Sequence, residues 1–196
     1  MFSYNVSLTS YVKICKYFFN FHSCYFQSVV GDHAERMTAV LDCAAKRSDI
    51  VIMCGGLGPT EDDLTKEVAA KYCGKELQVD ERSMERIAEY FTRRDLKPTE
   101  NNWKQAMIPE GAVVFDNNNG TAPGMAIETD NVKVILLPGP PNELIPLFED
   151  KVAPYLEKLT PGVIRSQTIK ICGKCRRHSS DSFQPFCRDF GCSLCR

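Results

Sequence analysis

The chain has 196 residues, a formal net charge of −1 and ten cysteines. This length allows one sizeable domain with a real core. The charge is uneven, and an acidic domain over residues 31–164 with a short basic tail argues against a dedicated nucleic-acid-binding protein. No stretch approaches the roughly 18 apolar residues of a membrane span, and no clean signal peptide opens the chain. We therefore expect a cytoplasmic protein that does not bind membranes, with cysteines that are thiols or metal ligands rather than disulfides.

Residues 1–23 form a divergent segment that is rich in aromatic residues and has no helix or strand period. It is interpreted as the product of a wrong start or shifted reading frame, or else as a replacement strand. The orderly part of the chain, residues 24–171, is predicted to form one domain. It opens with a strand over Tyr25–Val30 and a helix capped by Asp32 and Glu35.

A short β-branched run, Ile50–Met53, reads as a buried strand that ends at a glycine-rich loop. The following helix is predicted to begin at Thr60, with Asp63 as its capping-box partner. Glycines let the backbone approach a ligand closely, and a helix N-terminus offers free N–H groups. This strand-loop-helix unit therefore predicts an anion site, and its three loop glycines are Gly55, Gly56 and Gly58.

Two carboxylates, Asp62 and Asp63, stand where a phosphate would arrive. Like charges repel, so we expect a Mg²⁺-like divalent cation held between these carboxylates and the phosphate oxygens. The alternative is that both acids only complement the helix dipole and cap its first turn.

The middle of the chain predicts a strand over Leu77–Val79 and a helix capped by Asp80. Arg93 and Arg94 near the end of this helix suit its dipole and are interpreted as a solvated face rather than a phosphate clamp. A short helix is expected between Pro98 and Pro109, from which Lys104 can reach a phosphate.

A second glycine-bearing loop, Asp116–Gly124, follows a predicted strand over Ala112–Phe115 and is a further candidate phosphate or ribose cradle. A hairpin is predicted beyond it, followed by the rigid turn Pro138–Pro141, which would form another wall of the site. Pro146 is tolerable only in a first helical turn, so the last regular helix is expected to begin near it.

Four spaced motifs resemble those of the CinA family, within the wider molybdopterin-binding (MoaB/MogA-like) fold. In chain order they are Gly55–Thr65, Lys104–Ala106, Gly120–Gly124 and Leu137–Leu144. The resemblance runs from about Tyr25 to Ile171 and does not cover either end. We accordingly expect an α/β fold, a three-layer α/β/α sandwich whose sheet is mostly parallel with one antiparallel hairpin.

The resemblance implies a metal-dependent ADP-ribose pyrophosphatase, with Asp62 and Asp63 as catalytic residues and metal ligands. The alternatives are a molybdopterin-binding domain of the molybdenum-cofactor type and a non-catalytic partner-binding remnant. The ligand would be a small nucleotide or pterin phosphate, and the family resemblance also implies a homo-oligomer. The expected substrate-binding residues are Gly55, Gly56, Gly58, Thr60, Thr65, Lys104, Gly120, Thr121, Gly124, Pro138, Gly139 and Pro140.

Residues 172–196 form a cysteine-rich tail that departs abruptly from the family pattern. The pairs Cys172–Cys175 and Cys192–Cys195 have zinc-ribbon spacing, which would hold one zinc ion. A frameshift soon after Ile171 is the preferred interpretation, because the tail also loses all apolar periodicity.

Overall fold

The computed structural model describes residues 26–159, and its main sheet has four strands in the order β1-β6-β5-β4. A separate ribbon pairs β2 with β3 in antiparallel fashion. The strands are β1 Ile50–Cys54, β2 Leu77–Val79, β3 Met107–Pro109, β4 Val113–Phe115, β5 Gly124–Glu128 and β6 Lys133–Leu137.

Six helices accompany these strands in the part of the chain that the structure describes. They are α1 Ala34–Ala45, α2 Thr65–Tyr72, α3 Glu81–Thr92, α4 Glu100–Trp103, α5 Pro141–Leu147 and α6 Ala153–Leu159. A 3₁₀ turn, Lys104–Ala106, follows α4, and a π-helical turn, Phe148–Val152, joins α5 to α6.

Alternation along β6 divides the core into two clusters, because successive strand side chains point to opposite faces of a sheet. Ile135 and Leu137 pack with side chains of α5, the π turn and α6. Val134 and Leu136 pack on the other face with Leu41 of α1 and other apolar side chains, including one from α2. Helices thus cover both faces of the sheet, as the predicted three-layer sandwich requires.

The α/β class and the antiparallel hairpin are confirmed, since β5 pairs with β6 and Met125 lies opposite Leu136. Parallel pairing among the described strands is limited to β1 with β6, so this part of the sheet is mixed. The strand predicted over Tyr25–Val30 is wrong for the described residues from Phe26 onward. Val29 is 91% exposed, so this stretch buries no continuous apolar face against a neighbouring strand.

The predicted cap of the first helix is also wrong. Helix α1 begins at Ala34, and its N-cap is His33, which makes no side-chain capping bond. The His33 amide instead donates to Gly31 O at 2.8 Å, which closes a three-residue turn centred on Asp32. The cap predicted for α3 is confirmed, because Asp80 accepts from the Ser83 amide at 2.8 Å.

The last helical region begins earlier than predicted. Helix α5 starts at Pro141, and Pro146 lies inside it. Because Pro146 has no N–H, the Asn142 carbonyl four residues earlier lacks its helical donor. The side chain of Asn119 supplies one from outside the helix, with Nδ2 at 2.8 Å from Asn142 O. An external donor therefore compensates for the interior proline.

The predictions for residues 1–23 and for the zinc ligands Cys172, Cys175, Cys192 and Cys195 lie outside the described residues. Within residues 26–159, no helix is both long enough and apolar enough to cross a membrane.

Candidate functional site

Two of the predicted loops meet at one edge of the main sheet. Strands β1 and β6 are parallel neighbours, so their carboxyl ends lie side by side. The Gly55 amide donates to Leu137 O at 2.9 Å, just beyond the last paired residues. A Cβ added to Gly139 would lie 3.4 Å from the Gly55 Cα. The turn Pro138–Pro141 therefore packs directly against the start of the first glycine loop.

The third loop, Asp116–Pro123, which we call the asparagine loop, contacts the same region through α5. Asn117 Nδ2 donates to Glu143 Oε2 at 2.7 Å. Gly120 lies so close to the Glu143 carboxylate that a Cβ at this position would overlap it. We call the row of three loops the ledge: residues 55–64, Pro138–Pro141 and the asparagine loop.

Two positive φ angles shape the first glycine loop. Gly55 has φ +95° and Gly56 has φ +67°, a backbone conformation that other residues rarely adopt. The Thr65 hydroxyl occupies the space where a Cβ of Gly56 would stand, and the Thr65 amide donates to Gly56 O at 3.3 Å. Glycine is thus required at Gly56 by both backbone conformation and packing.

The helix after this loop begins at Thr65, not at the predicted Thr60. Thr60 and Asp63 do pair as expected, since the Thr60 amide donates to Asp63 Oδ2 at 3.1 Å and its hydroxyl donates to the same oxygen. These bonds close a turn over residues 60–63 instead of capping α2, whose N-cap is Leu64. Thr65 N–H is already bonded to Gly56 O, so the helix offers one amide fewer to an anion than predicted.

The Asp63 carboxylate leaves no room for a side chain at Gly58. A Cβ there would lie 3.1 Å from Asp63 Cγ and closer still to Oδ2. We expect Gly58→Val to displace Asp63 from Thr60 and to lower the free energy of unfolding by about 1–3 kcal/mol. Urea unfolding measures this loss. Gly31→Val is the matched control, since nothing lies within 4 Å of a Cβ there. Equal losses in the two variants would contradict the packing role of Gly58.

The two adjacent carboxylates differ in their surroundings. Asp63 Oδ2 is committed to Thr60, whereas Asp62 is exposed. Hydrogen bonding by Thr60 and then by backbone lowers the pKa of Asp62, which keeps this carboxyl ionised. Within residues 26–159, no group of three or more His, Cys, Asp or Glu side chains is placed to hold a metal ion. Two carboxylates still fit a Mg²⁺-like ion if ligand phosphate and water complete its shell.

Comparison with known proteins decides the family. Residues 13–158 match the family described as "Probable molybdopterin binding domain". A Clostridium beijerinckii protein described as competence-damage inducible is 54% identical over 149 residues, which are 76% of this chain and 36% of that protein. A CinA-like protein of Dictyoglomus thermophilum is 52% identical with the same coverage.

The crystal structure of CinA from Thermoplasma acidophilum, whose function is unknown, superposes with a TM-score of 0.67 at 33% identity. The superposition covers 78% of this chain and 86% of that one.

The chain belongs to the CinA family. It spans about a third of the length of the curated CinA relatives that it matches.

The CinA-like motif Lys104–Ala106 lies beneath the first glycine loop, not free at its mouth. Lys104 Nζ is 3.5 Å from Glu67 Oε1, so its charge is partly neutralised. Gln105 is buried, and its Nε2 donates to Leu57 O at 3.3 Å. The motif therefore supports the loop from below, and Lys104 is less available to a phosphate than predicted.

Lys66 is the buried cation that the sequence reasoning missed. It is only 5% exposed, and its ammonium donates to Lys104 O. Burial lowers its pKa to about 8, against the opposing attraction of Glu67. A lysine at the second residue of α2 does not belong to an apolar helical pattern. Its burial is therefore visible only in the folded structure.

Asn117 on the ledge and Glu143 in α5 make a contact that the sequence did not predict. Asn117 is buried and makes bonds through both ends of its amide: Nδ2 also donates to Ala122 O at 3.0 Å, and Oδ1 accepts from the Asn119 amide at 2.9 Å. Burial raises the pKa of Glu143, while the hydrogen bond from Asn117 opposes that rise. A contact between residues this far apart in the chain produces no periodic pattern in the sequence, so it could not be predicted.

The remaining predicted CinA residues divide by exposure. Thr121, Gly139 and Pro140 lie on the ledge as partly or fully exposed residues, whereas Pro138 is buried within the turn. Gly124 is buried at the start of β5, where a Cβ would lie 2.9 Å from Leu147 and 3.3 Å from Leu136 O. The structure thus brings Gly124 into the core packing and not to the surface of the ledge.

Proposed function

We propose that this CinA domain binds a phosphorylated pterin of the molybdopterin class on the ledge. The observation that carries the proposal is the meeting of three loops, two of them glycine-bearing and one proline-rich, at the carboxyl ends of the parallel strands β1 and β6. Ligands of open α/β sheets bind outside the carboxyl ends of their strands. The family description, a probable molybdopterin binding domain, supports the pterin as the ligand.

The first glycine loop supplies the anion-binding groups of this proposal. The Gly55 and Thr65 amides already bond to Leu137 O and Gly56 O. The Gly56 and Gly58 amides donate to no backbone carbonyl of the described chain. They remain for a phosphate oxygen, with the Thr121 hydroxyl on the neighbouring loop as a further donor.

A second candidate function is divalent-metal-dependent hydrolysis of ADP-ribose. The exposed, ionised Asp62 favours it, because a carboxylate beside an anion-binding loop suits a cation shared with a diphosphate. Asp62 and the remaining Asp63 oxygen would hold that ion, which would polarise a phosphoryl oxygen and activate water. The role of Thr60 is then to fix the orientation of Asp63 through two hydrogen bonds.

Calorimetric titration with molybdopterin, AMP and ADP-ribose, each with and without Mg²⁺, tests the proposal. We expect molybdopterin to bind without Mg²⁺. Preferential binding and turnover of ADP-ribose only with Mg²⁺ would favour the second candidate. If none of the three ligands binds, the ledge serves neither function. That result would favour the alternative that the domain is a non-catalytic partner-binding remnant.

Replacing both Asp62 and Asp63 with asparagine should reduce Mg²⁺-dependent ADP-ribose hydrolysis to background if the second candidate is correct. Asparagine still accepts hydrogen bonds from Thr60, so the stability cost should be about 1 kcal/mol or less. Release of AMP is the readout, and thermal unfolding reports the fold. The matched control is Asp130→Asn, an exposed acid in the β5–β6 turn. Unchanged turnover in the double variant would remove both carboxylates from the chemistry.

A further inference from the structure

A cavity of about 690 Å³ lies between the end of α3 and the asparagine loop of the ledge. One wall carries Arg86 and Tyr90 of α3 and, just beyond the end of this helix, Arg93 and Arg94; the loop wall includes Asn118 and Thr121. The cavity contains neither Asp62 nor Asp63. We call it the arginine groove. Its volume lies within the roughly 300–1,000 Å³ of small-molecule pockets, so it can hold a phosphorylated compound of nucleotide size.

The charges around the arginine groove do not cancel. Asp116 pairs with Arg82 and lies 3.7 Å from Arg86, and Glu89 pairs with Arg93 at 2.6 Å. Arg94 forms no ion pair with any carboxylate in residues 26–159. The carboxyl end of α3 offsets part of this positive charge, but that dipole falls off within one turn. Among the residues that line the groove, two carboxylates thus face three guanidinium groups, and Arg82 lies outside the lining.

Arg94 is held in an orientation suited to an anion. Its guanidinium carbon lies 3.6 Å from the centre of the Tyr90 ring, and Nη1 donates to Tyr90 O at 3.4 Å. A guanidinium stacked on a ring keeps its edge donors free, and planar donors of this kind bind phosphate in bidentate fashion. The stacking therefore prepares Arg94 for a phosphate without using all of its N–H groups.

The opposite wall is fixed by Arg86, which donates through Nη2 to Asn117 O at 3.1 Å and to Asn118 Oδ1 at 3.0 Å. The same loop carries Gly120 and Thr121 on the ledge. The loop that lines the arginine groove is thus also bonded to α5, through Asn117 to Glu143 and through Asn119 to Asn142 O.

We propose that the arginine groove is an anion-binding subsite for a phosphate or diphosphate group, with Arg94 and Arg93 as its main contacts. The inference rests on the proposed function only in assigning that group to the ligand of the ledge. It departs from the sequence interpretation of Arg93 and Arg94 as a merely solvated face. The sequence could not place the asparagine loop, more than 20 residues away, opposite these arginines.

Direct titration with inorganic pyrophosphate in metal-free buffer tests the subsite apart from any catalysis. We expect binding that weakens with added salt. Arg94→Gln should weaken it about tenfold or more, because a charge-assisted hydrogen bond is lost. Glu89→Gln should strengthen it about two- to threefold, since Arg93 is then released from its ion pair. Arg36→Gln, the same change on the exposed surface of α1, should leave binding unchanged.

Several results would overturn the subsite: no binding by the parent, unchanged binding by Arg94→Gln, or equal weakening by Arg36→Gln. Weakening by Glu89→Gln would also contradict it, and circular dichroism of each variant separates lost binding from lost folding. The Asp62/Asp63 double asparagine variant should still bind pyrophosphate without metal. If pyrophosphate binds as expected while molybdopterin and ADP-ribose do not, the subsite stands and the proposed function is wrong.

Discussion

Replacing Leu136 with alanine is expected to lower the free energy of unfolding by about 2–5 kcal/mol, the range for deleting a buried leucine side chain. Leu136 is fully buried in β6, opposite Met125 on one side and Met53 on the other. It therefore lies in the interior of the sheet, where neighbours on both strands are held by hydrogen bonds and cannot collapse into a cavity. A loss of this size is a large share of the stability of an ordinary domain.

Urea unfolding of the full chain, followed by circular dichroism, measures the effect of Leu136→Ala. Leu96→Ala removes the same atoms from a side chain of a residue that is 57% exposed, so its loss should stay within about 0.5 kcal/mol. If the two variants lose similar stability, the apolar cluster around β6 is not the core of the folded domain. A Leu136→Ala protein that fails to accumulate would itself agree with the larger loss.

Asn117→Ala should be nearly as damaging, at about 2–4 kcal/mol, although it deletes only a small polar group. The change removes the donor to Ala122 O and Glu143 Oε2 and the acceptor of the Asn119 amide. Buried polar groups left without partners cost about 1–3 kcal/mol each, and relaxation and water recover part of the sum. Displacement of the asparagine loop should also weaken the binding of any ligand to the ledge.

Thermal and urea unfolding of Asn117→Ala should be compared with Asn101→Ala, which alters an exposed asparagine of α4. The control should change stability by about 0.5 kcal/mol or less. If Asn117→Ala is as stable as the control, the asparagine loop is held by other contacts. In that event the pairing with Glu143 would not be the reason for the position of the loop.

Much of the fold was predictable because its signals are local. The β5–β6 hairpin shows apolar runs on either side of the Thr129–Asn131 turn, and Asp80 precedes a helical apolar stripe. The run Tyr25–Val30 carried a similar local signal, but the strand predicted from it was wrong. Only burial distinguishes a strand from an exposed apolar stretch. Local pattern therefore identified elements better than it identified where they begin.

The candidate site was predictable only in part. The glycine and proline loops could be placed at strand ends from their composition, and the parallel pair β1 and β6 brings two of them together. The pairing of Thr60 with Asp63 was predictable, but the sequence could not show that it closes a turn before the helix, nor that Lys66 is buried with its ammonium on Lys104 O. These features depend on contacts that form only once the chain has folded, and the approach of Glu143 to Gly120 is of the same kind.

The proline inside α5 has a consequence for how the domain opens locally. Because Pro146 leaves the Asn142 carbonyl without a helical donor, the bond from Asn119 makes the asparagine loop part of the hydrogen-bond ladder of α5. The loop and the first turn of the helix should then fray together as one cooperative unit. The anchor uses a backbone oxygen, so it does not depend on the side chain at position 142. The asparagine loop thereby takes part of its rigidity from the helix that follows strand β6.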